Sequence, residues 1–257
     1  MRCTMARRTR VAMVSIGIDY LGQPGALAGC VRDSRHFVAI SRRLLRPRWV
    51  AQLHDRGRAP TRAGIERALR RAVHICNSGR CNRLIIHYSG HGTQVRDGRR
   101  GDERDGYDEA LVPVDWRSAG FITDDWLQRT ILRRLRRGVM VFALIDACHS
   151  GSALDLRWSY LARHRRYREA TAAPSAARVM MLSGCRDPGY SYETTDRRFG
   201  RGGALTSAFL HTMLRRRRWP AHRVAREVSR RITTPQHPVL SSSHPIASGA
   251  RLPGFGE

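Results

Sequence analysis

Two short apolar runs end in residues able to do covalent chemistry. Leu84-Ile85-Ile86-His87-Tyr88 leads into Ser89-Gly90-His91-Gly92, and Val141-Phe142-Ala143-Leu144-Ile145 leads into Asp146-Ala147-Cys148-His149-Ser150-Gly151. A cysteine nucleophile needs a base that takes the thiol proton and later returns one to the leaving amine, and an imidazole suits both steps. Glycines beside His91 let a peptide approach closely. The backbone N–H groups of Gly92 and Cys148 are candidates to hold a developing oxyanion. A lone buried cysteine is usually a small hydrophobe, and a lone histidine is usually structural. The pair points to catalysis because both stand just beyond strand ends, where open α/β sheets collect their chemistry. His87 is expected to pack in the core, and His149 is a second near-motif decoy.

Asp146 precedes Cys148 by two residues, so strand alternation puts it on the nucleophile's side of the strand. A carboxylate there attracts a cationic substrate side chain and repels an acidic one. A second acidic feature follows His91. Eight of the chain's 21 acidic residues lie between Asp102 and Asp125, against two arginines in the same window. Such a cluster repels itself unless a cation or arginines neutralise it. Oxygen donors without His or Cys suit Ca²⁺ rather than zinc or copper. The plain alternative is a solvated acidic loop with Asp124 as a helix N-cap.

These residues need a sheet to position them, and the hydrophobic pattern supplies one. Val11–Ile18, Val50–His54, Leu84–Tyr88, Val139–Ile145 and Val179–Leu182 read as strands, the longer ones as buried parallel strands. Helical spacing marks Val31–Leu45, a segment capped by Thr61 and ending near Gly79, Asp124–Leu135, Ala204–Leu214 and Val224–Ile232. Gly92–Gly120 is a polar excursion, and the tail from Pro235 holds one short strand, Val239–Ser241, before Pro/Gly-rich coil. The alternation predicts an α/β domain with a mostly parallel central sheet flanked by helices on both faces.

The chain has 257 residues, 41% hydrophobic and 26% charged, which excludes a disordered or fibrous protein. No apolar run approaches the roughly 18–20 residues of a membrane span. The six cysteines (Cys3, Cys30, Cys76, Cys81, Cys148, Cys185) form no ligand array for zinc. Val11–Ile18 is too short and strand-like for a signal-peptide core, so a cytoplasmic location with reduced thiols is expected. All 47 basic residues are arginine, giving a net charge of +26. Replacement of lysine by arginine throughout fits codon bias in a GC-rich genome, while weak nucleic-acid binding would follow from the charge alone. Arg215–Arg218 followed by Trp219 is the best candidate for such contacts. Four arginines ending a helix are more often a solvated terminus that also complements the dipole.

Tyr-Ser-Gly-His-Gly at 88–92 and Asp-Ala-Cys-His-Ser-Gly-Ser at 146–152 resemble the motifs of metacaspases, the caspase-like cysteine peptidases of clan CD, family C14. Ala147 stands where that family more usually has serine. The resemblance continues through Gly29–Asp33, Asp105–Glu109, Pro113–Asp115, Ser183–Asp187, Gly203–Thr206 and Leu240–Pro245, while Asp187–Tyr190 departs from the usual polar continuation. It implies a caspase-like (caspase–haemoglobinase) fold of the compact, prokaryote-like form. One peptidase domain is expected over residues 11–245, with a large-subunit-like part at 11–155 and a small-subunit-like part at 178–245. A basic tail (1–10) and a C-terminal coil (246–257) flank it.

By the same resemblance the activity is that of an endopeptidase cutting after Arg or Lys, acting as a monomer on protein or peptide substrates. Cys148 and His91 are the dyad, Asp33 joins Asp146 in an S1 pocket lined by Cys30 and Ser89, and Ca²⁺ is an activator held by Asp108, Asp124 and Asp125. Glu109 and Asp105 are reserve ligands. Self-processing at an exposed arginine, such as one in 157–168, is a further expectation. The alternatives are a catalytically silent caspase-like scaffold and a basic nucleic-acid-binding protein.

Overall fold

The computed structural model describes residues 9–96, 107–151, 153–161, 166–169, 176–185 and 191–256. The runs read as buried strands form the middle of an eight-stranded sheet. Strand β1 (Val11–Gly17) is flanked by β2 (Trp49–His54) and β3 (Arg83–Ser89). Strands β7 (Met140–Asp146) and β10 (Arg178–Ser183) follow beyond β3, and these five strands are parallel. Three antiparallel strands complete the sheet: β13 (Val239–Ser242), β8 (Trp158–Leu161) and β9 (Arg166–Glu169).

Helix α2 (Arg62–Asn77), with Thr61 Oγ1 accepting from the Gly64 N–H as its cap, packs on one sheet face through Ile65, Leu69, Ala72 and Val73. Helices α1 (Cys30–Leu45), α5 (Ala204–Arg216) and α6 (Ala221–Arg231) cover the other face with Phe37, Phe209, Met213 and Val228. Alternate residues of β1 feed the two layers: Ala12, Val14 and Ile16 one, Val11 and Met13 the other. His87 is fully buried in the second layer, stacked on Phe37 at 4.3 Å. Burial pushes its pKa down to about 3, so it is neutral and structural, as expected from its place in the strand.

Two readings are corrected. Part of the excursion after His91 is a small antiparallel sheet of β4 (Gly92–Arg96), β5 (Tyr107–Leu111) and β6 (Ile122–Thr123), whose charged residues hid its alternation. A short helix α3 (Trp116–Ala119) precedes β6. The expected helix over 124–135 is one α-turn, α4 (Asp124–Leu127), followed by a π-helical turn at Gln128–Leu132. The Gln128 amide donates to the carbonyls of Leu154 and Asp155 at 2.9 and 3.2 Å, tying this segment to the loop after the cysteine motif. The tail is irregular as expected, yet its Leu252 and Phe255 are buried in the second core layer. A hairpin of β11 (Glu193–Asp196) and β12 (Gly200–Gly203), which no pattern announced, lies directly before α5.

Candidate active site

Strands β3 and β7 are parallel neighbours in register, with Ser89 opposite Asp146. Their continuations leave the sheet side by side. The Gly90 N–H donates to the Asp146 carbonyl at 3.3 Å, and Gly92 lies so close to Cys148 that an added Cβ would overlap its carbonyl oxygen. Glycine is therefore required at 92 for space rather than for dihedral freedom. His91 and Cys148, each two residues past a paired strand end, flank this contact.

Each is held by its own surroundings. The His91 Nε2 lies 2.6 Å from the Gly25 carbonyl oxygen. A carbonyl only accepts, so Nε2 carries the hydrogen and Nδ1 keeps the lone pair that can take a proton. The His91 N–H donates to the Tyr20 hydroxyl at 3.0 Å, and the Tyr88 hydroxyl donates to the His91 carbonyl at 2.7 Å. The Tyr20 ring packs on the imidazole at 4.6 Å. Tyr20 is buried and sits at φ +52°, a left-handed conformation that costs a bulky residue about 1–3 kcal/mol. Its hydroxyl also donates to the Val112 carbonyl at 2.7 Å, so the surrounding bonds hold it there. Tyr20→Phe keeps the ring and removes these two bonds and the 3.2 Å bond to the Tyr88 hydroxyl. The expected result is a fall in kcat of about tenfold with KM within twofold, at a stability cost of about 1–2 kcal/mol. Active-site titration separates this from a purely structural defect, which would lower the titrated concentration of active enzyme and leave kcat per active site unchanged.

Cys148 is half-buried in the turn after β7. Its sulfur accepts from the Ser191 N–H at 3.3 Å. Burial raises the thiol pKa, the Ser191 bond opposes this, and the nearby Asp146 carboxyl adds to it. Cys148 therefore rests as a thiol and needs a base to become a nucleophile.

Beneath the cysteine lies a buried acidic pair. Asp33 Oδ2 accepts from the Ser89 hydroxyl and the Gly203 N–H, both at 2.8 Å. Asp146 Oδ2 accepts from the Thr206 N–H at 2.8 Å and its hydroxyl at 2.9 Å, and Oδ1 accepts from the Ser191 hydroxyl. A Cβ on Gly203 would overlap Asp146 Oδ2, so the hairpin end closes over the pair only because that residue is glycine. Burial pushes both carboxyls above the usual carboxylate range, for Asp33 with a further push from Asp146. Cys30 is buried beside them, its thiol raised by burial and by Asp33. Asp33, Asp146, Ser89 and Cys30, grouped by the family resemblance, thus lie together in the structure. Ser191, which bridges Cys148 and Asp146, and Gly25, which orients His91, carried no signal in sequence.

The acidic residues after β4 gather less completely. Asp124 is buried, its Oδ2 accepting from the Glu109 N–H at 3.1 Å and Oδ1 from the Asp125 N–H at 2.6 Å. Burial and the neighbouring Asp155 and Glu109 carboxylates push it up to about 9. Asp125 instead pairs with Arg129 at 3.5 Å, and Asp108 stands beside Glu109 on β5, on the opposite side of the strand by alternation. Among the described residues no three His, Cys, Asp or Glu side chains converge as a formed metal cage. Asp155, at φ +43° in the loop after the cysteine motif, is the acidic neighbour that sequence reasoning missed. Asp105 lies outside the described residues, as do parts of 157–168 and of the Ser183–Tyr190 segment.

Residues 12–157, more than half of the chain and both motifs, match the family described as metacaspase, peptidase C14 domain. The chain belongs to the metacaspase family. Metacaspase-1A of Aspergillus fumigatus is 42% identical over 165 residues, which is 62% of this chain and 38% of that protein. Metacaspase-5 of Trypanosoma brucei brucei is 34% identical over 271 residues, covering 96% of this chain and 53% of its own length. The metacaspase domain here thus spans about a third to a half of these relatives. A crystal structure of a Geobacter sulfurreducens protein superposes with a TM-score of 0.70 at 22% identity, covering 96% of this chain and 98% of the other. Caspase-1 of Spodoptera frugiperda gives 0.52 at 13% identity, over 97% and 90%. The fold is caspase-like. No helix among the described residues is long and apolar enough to cross a membrane.

Proposed function

We propose that this chain is a cysteine endopeptidase that cleaves after arginine or lysine. The observation that carries the reading is the buried Asp33–Asp146 pair beneath a cysteine–histidine constellation. In the first step the Cys148 thiol gives its proton to His91 Nδ1 and its sulfur attacks the scissile carbonyl carbon. The oxyanion forms beside Gly92 and Cys148, whose N–H groups are the candidate donors. The imidazolium then protonates the leaving amine as the C–N bond breaks, leaving a thioester on Cys148. Water, deprotonated by the same imidazole, hydrolyses it and restores the thiol.

Two carboxyls raised by burial take a guanidinium or ammonium favourably, because a cation restores their ionised form, and arginine's fork of donors suits two acceptors. An acidic side chain at the same place meets repulsion. A fluorogenic peptide series differing only at P1 tests this directly. Turnover of Arg and Lys substrates at least 100-fold above Asp is expected. Equal or preferred cleavage after Asp overturns the reading, and no turnover of any peptide favours a silent scaffold.

Calcium is the proposed activator. The donor set around Asp124 is all oxygen, and the Asp155 and Glu109 carboxylates stand close enough to raise its pKa, a crowding of acids that a hard cation would relieve. Asp108 and Asp124, with Asp155 in place of the Arg129-paired Asp125, are the residues that would hold it. When bound, the ion would neutralise this cluster. The link to the dyad is short: Asp124 is bonded to Glu109, Glu109 accepts from the Gln94 amide at 3.1 Å, and β4 begins next to His91. Calorimetry on Cys148→Ala should show calcium uptake that Asp124→Asn abolishes. No heat and no thermal shift at millimolar calcium removes calcium from the scheme.

A further inference from the structure

Many of the chain's exposed arginines gather at the edge of the sheet away from the catalytic pocket. Helices α1 and α5 both begin at the catalytic end, where Asp33 and Thr206 meet the acidic pair, and both end at the amino edge of the parallel strands. The Arg48 N–H donates to the Val11 carbonyl there, at 2.9 Å. Arg217 of the α5 end donates to the Leu44 carbonyl at 3.3 Å, bringing the α1 terminus beside it. Exposed Arg42, Arg43 and Arg46 thereby adjoin exposed Arg215, Arg216 and Arg218. Eight of the 17 residues from 215 to 231 are arginine and one is acidic, against 47 of 257 for the whole chain. Helix α5 alone sets this edge about 20 Å from the catalytic pocket.

A formed cleft of about 250 Å³ opens on this face, lined by Trp219, Arg223, Arg226, Glu227 and Arg230. Arg223, Arg226 and Arg230 recur at i, i+3 and i+7, within one stripe of α6 and spaced about 4.5 and 6 Å along its axis. The Trp219 ring is covered by the guanidinia of Arg223 at 4.6 Å and Arg216 at 5.2 Å. Arg226 and Arg223 also hold the His222 pKa down after burial does, and the one carboxylate in the cleft lining, Glu227, is shared by Arg231 at 2.9 Å and Arg230 at 3.9 Å, so cations outnumber it along the stripe. A membrane surface would want an exposed aromatic or aliphatic anchor. Here the one large ring is sheathed in guanidinium groups. A row of forked cations a few ångströms apart matches a linear lattice of phosphates.

We propose that the α5–α6 face, centred on the Arg223–Arg226–Arg230 cleft, is a sequence-independent docking site for the sugar–phosphate backbone of nucleic acid, remote from the catalytic pocket. Fluorescence anisotropy of a labelled 20-nucleotide oligothymidylate with the full-length Cys148→Ala chain, from 50 to 200 mM salt, tests it. Replacing Arg223, Arg226 and Arg230 together by Gln should weaken binding at least tenfold at 100 mM salt. The same replacement should lower the slope of log affinity against log salt by about 2, as loss of three single-strand phosphate contacts requires. A control triple on α2 and its end (Arg67, Arg71 and Arg80 to Gln) removes equal charge and should change affinity less than twofold. Equal losses in the two triples would make the charge diffuse and overturn the site. So would absence of binding, or equal binding of polyglutamate or anionic vesicles at matched charge.

Discussion

His91→Ala is expected to lower kcat on an arginyl peptide by about 10³–10⁴-fold while leaving the protein folded. Cys148 rests as a thiol raised by burial, so without a base beside it little nucleophile is present near neutral pH. Folding should survive because Tyr20 and Tyr88 bond the backbone N–H and carbonyl of His91 rather than its ring. The alanine variant keeps both bonds and loses the ring packing on Tyr20. Circular dichroism melts within a few degrees of wild type, with kcat collapsed, are the expected result. Comparable activity in this variant would remove His91 from the chemistry.

Asp146→Asn carries the second large effect, and its sign depends on substrate charge. Removing the carboxylate should lower kcat/KM for an arginyl substrate by about 10²–10³-fold, and for the isosteric citrullyl peptide by much less. The pH dependence follows from the same groups. Asp33 and Asp146 hold protons to higher pH than ordinary carboxyls, and a cationic side chain binds their ionised form. The ratio of arginyl to citrullyl kcat/KM in the wild type should therefore rise as pH rises through the pocket's titration, and flatten in Asp146→Asn. In the empty pocket the sign for stability is opposite. A raised folded-state pKa contributes stability below the unfolded value that is lost as pH rises through the folded one. A second readout separates loss of charge from misfolding. Asp146 also raises the Cys148 pKa, so alkylation of Cys148 by iodoacetamide should move to lower pH in the variant.

What the sequence made legible was set by how local the causes are. Strands β1, β3 and β7 are apolar because both their faces are covered, and α1 and α2 carry stripes that one sheet face dictates. Those elements fix where His91 and Cys148 leave the sheet, so two short motifs were enough to bring the two residues to neighbouring strand ends. Asp33 and Asp146 were legible through family likeness and strand alternation. Ser191, Gly25 and Tyr20 were not. Gly25 acts through its carbonyl and Ser191 partly through its N–H, which residue type does not encode, and the Ser191 hydroxyl reaches Asp146 from 45 positions away. Tyr20 matters because of a left-handed backbone that only tertiary bonds sustain. The π-helical turn at Gln128–Leu132 depends on carbonyls of Leu154 and Asp155, more than twenty residues away, and no local period announces it. The acidic excursion showed its charge but not its pairing: the contact of Asp125 with Arg129 and the closeness of Asp155 to Asp124 come only from the fold.

The most direct measurement is covalent labelling with an arginyl acyloxymethyl ketone, read by intact mass and peptide mapping. One adduct per chain is expected, on Cys148, formed much more slowly in His91→Ala and not formed with the aspartyl analogue. Labelling that ignores the P1 charge, that falls on Cys30 or Cys185 instead, or that proceeds equally without His91 would contradict a basic-specific peptidase at this site.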